Sequence, residues 1–243
     1  YLGPEFQNGS IESFLKKNDY SYQTLNDEEL PEKIANLIAD EKVIGWFQGR
    51  MEFGPRALGS RTIIGDARSS EMQKTMNLKI KYRESFRPFA PSVRAENISD
   101  YFEIDRESPY MLLVANVQKD KQVAMSEEEN SYFGMEKLNV VRSEIPAITH
   151  VDYSARIQSV NGKTNPRYHE MLTKFNDKYG CAVIVNTSFN VRGEPIVCTP
   201  EDAYTCFMRT QMDYLVMGNY LLDKKEQKSL KGDFDWQTEF ELD

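Results

Sequence analysis

A capped amphipathic helix that runs straight into a short apolar segment, at positions 165–185, constrains the fold of this 243-residue chain most strongly. Asn165 stands at the capping position, Pro166 at the first helical position and Gly180 just past the last turn. Positions 181–185 read Cys-Ala-Val-Ile-Val, which predicts a central buried strand. A helix followed at once by a buried strand is typical of layered α/β folds.

The same alternation of helix and strand patterns continues along the chain. Further helices are predicted over positions 31–39, 69–81 (capped by Ser69 or Ser70) and 199–210. Further strands are predicted over positions 43–47, 89–93 and 111–117, within 147–160, and over 214–222. We therefore expect an α/β fold, with a twisted mixed sheet flanked by helices in a single domain.

Composition suggests how this domain lies within the chain. A polar, irregular lead-in or linker is expected over residues 1–25, the folded domain over 26–224, and a polar tail over 225–243. The charged residues 119–137 are interpreted as an exposed loop or insertion. Because the first residue is Tyr1 rather than Met, we expect the sequence to be a fragment of a longer protein.

Three further features of the composition narrow the class of protein. No apolar run approaches transmembrane length, so no membrane partner is expected. The three cysteines lack metal-type spacing and suggest no disulfide framework, which favours a reducing, cytoplasmic location. The net charge of −8 argues against nucleic acid as a general partner.

Positive charge is nevertheless concentrated in one stretch of this acidic chain. Residues 42–94 contain eleven Lys or Arg against four Asp or Glu, an excess of seven positive charges. A basic stretch in an acidic protein favours a focused anion site. The alternative is a solvated basic face, but the glycines and prolines within the stretch favour the site.

Cations in two parts of this stretch are candidates for binding an anion. Lys81, Arg83 and Arg87 follow a predicted helix and lie among rigid apolar residues. Cations that fork onto phosphate oxygens suit a nucleotide or acyl-phosphate site, although these three could simply favour the C-terminus of the helix. Arg56 lies in a glycine-punctuated loop, 53–61, where backbone amides can approach an anion closely.

Short polar side chains follow the predicted strand at 181–185. Ser188, Asn190 and Arg192 come directly after it. In open α/β sheets, ligands bind beyond the carboxyl ends of the strands, so these residues are candidates for the same site as the cations. The alternative is a local turn in which Ser and Asn serve only the backbone geometry.

The two histidines give a weaker signal. His150, together with Arg156, is a further candidate for a contact in the site, whereas His169 lies in the predicted amphipathic helix and is interpreted as structural or solvent-facing. Neither histidine has partners at metal-ligand spacing, so no metal site is predicted. No serine or cysteine shows the pattern of a covalent nucleophile.

Five long segments of the chain resemble a known family, and together they span roughly residues 43–224. They read GRMEFGPRALGSRTIIGDAR, KIKYRESFRPFAPSV, ITHVDYSARIQSV, NPRYHEMLTKF and NTSFNVRGEPIVCTPEDA. These segments are similar to the C-terminal region of the carbamoyltransferases of the nodulation, cephamycin and tobramycin type. The resemblance implies a YrdC-like fold, whose Lys-x-Arg and Ser-x-Asn signatures occur here at 81–83 and 188–190.

The resemblance also implies a function for this region. It implies that the domain binds ATP and carbamoyl phosphate and makes carbamoyl adenylate. A separate N-terminal Kae1-like domain, which carries an iron site, is implied to transfer the carbamoyl group to a hydroxyl acceptor. Mg²⁺ is expected to accompany ATP on its phosphates. We therefore expect this chain to form or bind carbamoyl adenylate without carbamoylating an acceptor.

Residue roles follow from the match between the motifs and the chemistry. Arg56, Lys81, Arg83 and Arg87 are expected to clamp phosphates, and removal of Lys81 or Arg87, taken as exposed charges, is expected to cost little stability. Ser188, Asn190 and Arg192 are expected to orient the nucleotide or the carbamoyl end, and His150 and Arg156 to contact the reactive centre. Of these residues, we expect Lys81, Arg87 and Asn190 to be catalytic.

Two other classes of function are compatible with the sequence. The domain could be a nucleotide- or RNA-binding module without chemistry, although its acidic charge argues against RNA because non-specific affinity depends on phosphate neutralisation. It could also be a structural half that supports the Kae1-like domain. A homo-oligomer is compatible with either class.

Overall fold

A computed structural model describes residues 1–228 of the chain. In this part of the chain, nine strands form one sheet in the order β1-β9-β8-β2-β3-β7-β4-β6-β5. The strands are β1 (Gln23–Thr24), β2 (Ile44–Phe47), β3 (Arg61–Asp66), β4 (Ala90–Arg94), β5 (Leu113–Asn116), β6 (Ser154–Val160), β7 (Val183–Ser188), β8 (Tyr214–Met217) and β9 (Tyr220–Asp223).

Strand direction makes the sheet mixed. The β2–β8 and β4–β6 pairs are parallel, and the other strand pairs within residues 1–228 are antiparallel. β7 lies between β3 and β4, with Asn186 opposite Ile64 on one neighbour and Ala90 on the other. The polar end of β7 therefore emerges near the middle of the sheet, which is where the site described below is built.

Eight α-helices within residues 1–228 accompany the sheet. They are α1 (Asn8–Lys17), α2 (Glu29–Ala39), α3 (Met72–Lys79), α4 (Ile98–Tyr101), α5 (Glu127–Ser131), α6 (Met135–Leu138), α7 (Pro166–Tyr179) and α8 (Pro200–Arg209). As expected, Gly180 ends α7 in the left-handed conformation, with φ of 69°. The predicted start of α8 is also confirmed, because Thr199 and Asp202 form a capping box.

The predicted α/β fold with a mixed sheet is confirmed, but the interpretation of residues 1–25 as an irregular lead-in is wrong. Ile11 and Leu15 on α1 are buried in the core, and β1 pairs with β9 at the end of the sheet. Only these two side chains of α1 are fully buried, so the apolar pattern is too sparse to reveal the helix in the sequence.

Other local predictions also differ from the structure. The single strand expected over 214–222 is the hairpin β8–β9, which turns at Gly218 with φ of 54°. Asn165 stands before α7 but makes no capping bond, because its side-chain amide donates to the carbonyl of Gly59. The cap expected at Ser69 or Ser70 is likewise absent, since α3 begins after Glu71 without a side-chain cap.

Two more predicted segments are the charged stretch 119–137 and the polar tail 225–243. Within 119–137, which was expected to be an exposed loop or insertion, the short helices α5 and α6 form without a fully buried side chain. The predicted polar tail at 225–243 lies outside the described residues from position 229 onward. Within residues 1–228, none of the helices combines the length and apolar character needed to cross a lipid bilayer.

Candidate active site

The segment that follows α3 and the turn that follows β7 meet at Lys81. Its Nζ donates to the carbonyls of Ser188 (2.5 Å) and Asn190 (2.8 Å) and to Asn190 Oδ1 (2.8 Å). Ser188 Oγ donates to the same Asn190 Oδ1 at 2.7 Å, and Asn190 Nδ2 donates to the Glu194 carbonyl at 2.7 Å. These four residues form the Lys81 cluster, which fixes the turn after β7.

Lys81 is a buried residue rather than an exposed clamp. Its side chain is only 3% exposed, so the expectation that its removal would cost little stability rests on a wrong premise. Burial lowers the pKa of Lys81 to about 7. The three oxygens within 2.8 Å oppose this effect because they accept all three N–H bonds of an ammonium group, and they therefore favour the charged form.

A small cavity of about 140 Å³ opens beside the Lys81 cluster, at the carboxyl end of β7. Three arginines from different parts of the chain line it: Arg56 from the loop before β3, Arg83 from the segment after α3, and Arg156 from β6. Asn186 and Ser188 of β7 form part of its wall. We call this space the arginine cavity.

The arginines of this cavity are crowded and only partly compensated. Arg83 Nε donates to Asn77 Oδ1 at 2.7 Å, and burial lowers the pKa of Arg83 to about 10. Burial also lowers the pKa of Arg156, and the nearby charge of Arg56 lowers it further. Like charges brought together in a partly desolvated space favour the binding of an anion between them.

Arg87 and Arg192 both act electrostatically on one carboxylate, that of Glu84. Arg87 Nε is 3.0 Å from Glu84 Oε2. The pKa of Glu84 is lowered first by a hydrogen bond from its own backbone N–H, and then by the charges of Arg87 and Arg192. The structure thus places these two arginines around Glu84 and not among the residues that line the arginine cavity.

His150 lines a different, larger cavity of about 600 Å³ that shares Pro88 with the arginine cavity. Ser154 Oγ donates to Asp152 Oδ1 at 2.7 Å and lies 3.1 Å from His150 Nδ1. Because the hydroxyl proton goes to the carboxylate, His150 Nδ1 is the donor to Ser154, and Nε2 is left as an acceptor. Burial lowers the pKa of His150, and the charge of Arg156 adds to this effect.

The basic stretch at 42–94 does not form one face. Arg61 is fully buried, its guanidinium lies 3.6 Å from the centre of the Phe47 ring, and it donates to the Gln48 carbonyl at 2.9 Å. Arg68 forms an ion pair with Asp66 at 2.6 Å. Part of the local positive charge therefore stabilises the fold, and of the cations in this stretch only Arg56 and Arg83 line the arginine cavity.

Asn186 is the main site residue that the sequence reading missed. It is 1% exposed, lies in the central strand and lines the arginine cavity. The signal was present, because an amide side chain directly following a buried apolar run needs polar partners that such a run does not supply.

Within residues 1–228, no group of three or more His, Cys, Asp or Glu side chains is arranged to hold a metal ion. His169, interpreted as structural, lies 2.9 Å from Glu96 Oε1. The donor set of this part of the chain therefore does not fit a resident iron site.

The chain belongs to the carbamoyltransferase C-terminus family, whose model matches residues 35–224. It is similar to the uncharacterized protein sll1178 of Synechocystis sp., with 60% identity over 245 residues covering 100% of this chain and 40% of that protein. It is also similar to nodulation protein NolO of Bradyrhizobium diazoefficiens, with 37% identity over 230 residues covering 93% of this chain and 38% of that protein. The chain thus spans about two fifths of these relatives.

An enzyme and a solved structure complete the comparison. The chain is 34% identical over 184 residues to the 3'-hydroxymethylcephem-O-carbamoyltransferase of Streptomyces clavuligerus, covering 75% of this chain and 31% of the enzyme. The crystal structure of full-length HypF in its phosphate- and nucleotide-bound form superimposes with a TM-score of 0.50 at 16% identity, covering 81% of this chain and 26% of HypF. The fold is YrdC-like, and the expected family is confirmed.

Proposed function

We propose that this chain binds ATP and carbamoyl phosphate at the arginine cavity and forms carbamoyl adenylate. The observation that carries the proposal is the convergence of Arg56, Arg83 and Arg156, from three separate elements, on one small cavity. A polyanionic substrate would relieve the repulsion among these cations and would be oriented by them. The similarity to an O-carbamoyltransferase and the fold shared with a nucleotide-bound protein support this choice.

The proposed reaction has two balanced steps. Water first cleaves carbamoyl phosphate into carbamate and inorganic phosphate. A carbamate oxygen then attacks the α-phosphorus of ATP, the bond to the bridging oxygen breaks, and pyrophosphate leaves with the electron pair. Negative charge grows on the α-phosphate oxygens in the second step, so fixed guanidinium groups stabilise its transition state more than its ground state.

Each residue of the site takes a role that fits its surroundings. Arg83 and Arg156 hold the reacting phosphate, and Arg56 covers it from the loop before β3. Lys81 and Asn190 act as positioning residues, because their hydrogen bonds hold Ser188 at the cavity wall. Arg87 and Arg192, beside Glu84, are assigned to the outer phosphates of ATP.

The remaining components of the reaction lie outside this site. Mg²⁺ would arrive on the ATP phosphates and would neutralise part of their charge. We assign transfer of the carbamoyl group to a hydroxyl acceptor, and the iron, to a Kae1-like domain of the longer proteins. We therefore expect the chain alone to make the adenylate without modifying an acceptor.

Pyrophosphate release tests the proposed function. The chain is supplied with ATP and Mg²⁺, with or without carbamoyl phosphate. We expect pyrophosphate release that depends on carbamoyl phosphate and falls at least tenfold in Arg83→Met, because a cation contact to the reacting phosphate is lost. Arg106→Met is the matched control, since Arg106 is 70% exposed and pairs with Asp105. Release of ADP in place of pyrophosphate, or equal loss in both variants, would contradict the proposal.

A further inference from the structure

Asn186 carries a buried acceptor that the fold leaves without a donor. Among the residues that the structure describes, none makes a hydrogen bond to its Oδ1, which is shielded from bulk solvent. The residue is 1% exposed and lines the arginine cavity. Leaving such a group unsatisfied is costly, and an unsatisfied group in a native structure points to a ligand or an ordered water.

The orientation of this amide is fixed by its surroundings. Asn186 Nδ2 lies 2.9 Å from the Ala57 carbonyl oxygen, which can only accept, so this terminal atom must be the nitrogen. The same Nδ2 lies 3.0 Å from Ser92 Oγ and 2.8 Å from Gln158 Oε1. Because the two hydrogens of Nδ2 are shared among these three oxygens, Oδ1 is the amide atom left without a protein partner.

The partners of Asn186 are held in turn by other groups. Gln158 Nε2 donates to the Leu58 carbonyl at 2.8 Å, which fixes the orientation of the second amide. Ser92 Oγ donates to Gln158 Oε1 at 2.5 Å and accepts from Tyr168 at 3.1 Å. Because this network is buried and directed, Asn186 cannot turn its oxygen toward a protein donor without breaking several bonds.

A second orphan group lies in the wall of the same cavity. The Nε–H of Arg156 is buried, and no acceptor for it occurs among residues 1–228. Two residues that line this cavity of about 140 Å³ therefore each carry a buried group without a protein partner, an acceptor on Asn186 and a donor on Arg156. A small planar group that carries both an N–H and a carbonyl or carboxylate oxygen has the donor and the acceptor that these two groups lack.

We propose that Asn186 Oδ1 accepts a hydrogen bond from the NH₂ of the carbamoyl group and so selects carbamoyl over acyl substrates. Arg156 Nε donates to the oxygen of the same group. This inference rests on the proposed function, because it assumes that the arginine cavity is where the carbamoyl substrate binds. Asn186 is thereby a specificity residue, since an acyl methyl in place of NH₂ leaves Oδ1 without a partner.

The test compares two ligands that differ only at this position. Carbamoyl phosphate and acetyl phosphate have the same charge and nearly the same shape, but the second has CH₃ in place of NH₂. Calorimetric titration of the chain with each ligand, without ATP, should give at least tenfold tighter binding of carbamoyl phosphate. Equal affinities, or binding of neither ligand, would overturn the inference, and equal affinities would indicate that a water satisfies Oδ1 instead.

The Asn186→Leu variant tests whether Asn186 causes the preference for carbamoyl phosphate over acetyl phosphate. Asn186→Leu keeps similar size but removes the acceptor, so the preference for carbamoyl phosphate should fall to within about twofold. A folded variant that keeps the full preference would overturn the inference, and if Asn186→Leu does not fold, the two titrations of the unaltered chain still decide. Failure of the proposed function is distinguishable, because it would abolish pyrophosphate release while leaving the ligand preference intact.

Discussion

The Lys81 cluster and the arginine cavity lie side by side, but their cations have different surroundings. In the cluster, one ammonium group is surrounded by oxygens of Ser188 and Asn190 at 2.5–2.8 Å. In the cavity, Arg56 and Arg156 face each other closely enough that one lowers the pKa of the other. The first group is satisfied by the protein, and the second is where we propose that a ligand binds.

This difference shows why charge alone does not identify a binding residue. Lys81 and Arg83 are two positions apart in one motif, but only Arg83 lines the cavity. A cation with all its donors directed at protein oxygens stabilises the native turn. A cation held among like charges destabilises the free protein slightly and gains its partner on binding. The two groups should therefore respond differently to the same substitution.

Removal of Lys81 should produce the largest effect on stability. Lys81→Met leaves the carbonyls of Ser188 and Asn190 buried without their donor, which should cost about 3 kcal/mol of unfolding free energy. Urea denaturation at pH 7 measures this loss. Lys16→Met is the control, because Lys16 is 63% exposed and pairs with Glu12 along α1, so the stability of this variant should be unchanged. Equal unfolding free energies of the two variants would show that Lys81 does not stabilise the turn after β7.

Removal of a cavity arginine should weaken ligand binding without lowering stability, and the expected change in binding free energy is smaller than the stability loss expected for Lys81→Met. Arg156→Met should weaken ATP binding about tenfold to a hundredfold, or about 1.4–2.8 kcal/mol, while the melting temperature stays the same or rises. The stability should not fall because the substitution removes a half-buried charge that is repelled by Arg56. Isothermal titration and thermal unfolding of the same sample check both parts. If Arg156→Met loses stability and keeps its ATP affinity, Arg156 stabilises the fold as Lys81 does and does not bind ATP.

A surface ion cluster gives the smallest expected effect. Burial is the largest single effect on Glu96 and raises its pKa, but hydrogen bonds from its own backbone N–H, Arg94 and His169 together outweigh burial and lower the pKa to about 2. The folded pKa lies below the unfolded value, so the contribution to stability is present above pH 4.5 and is lost as the pH falls toward 2. Because the side chain is 45% exposed, Glu96→Gln should cost about 1 kcal/mol or less at pH 6.

Urea denaturation at pH 6, 4 and 3 follows this contribution. The difference between the unaltered chain and Glu96→Gln should shrink steadily toward pH 3. A difference that stays constant over this range would show that the pKa of Glu96 is not lowered by folding.

Much of the fold could be predicted because local signals agree with the tertiary structure. The helix α7 and the strand β7 carry their own boundaries, in Pro166 and Gly180, and their own apolar patterns. The strand β3 was missed because it begins with Arg61 and contains Gly65, neither of which favours a strand. Arg61 is buried only because the Phe47 ring and backbone carbonyls receive its guanidinium.

The segments that form the site could be predicted from the sequence, but the roles of the individual residues within it could not. Chain position showed that the residues around Lys81 and Ser188 could meet, and they do. Burial of Lys81 depends on where the turn after β7 folds, which no local pattern encodes. The orphan oxygen of Asn186 likewise emerges only when Ala57 and Gln158 are brought to its nitrogen.

The structure of this chain bound to an ATP analogue and carbamoyl phosphate tests the central claim most directly. The account predicts that α-phosphate oxygens lie within hydrogen-bond distance of Arg83 and Arg156, while Lys81 Nζ remains bonded to Ser188 and Asn190. A phosphate bound to Lys81 Nζ, after its release from Asn190, would contradict the account. So would a nucleotide seated in the larger cavity beside His150.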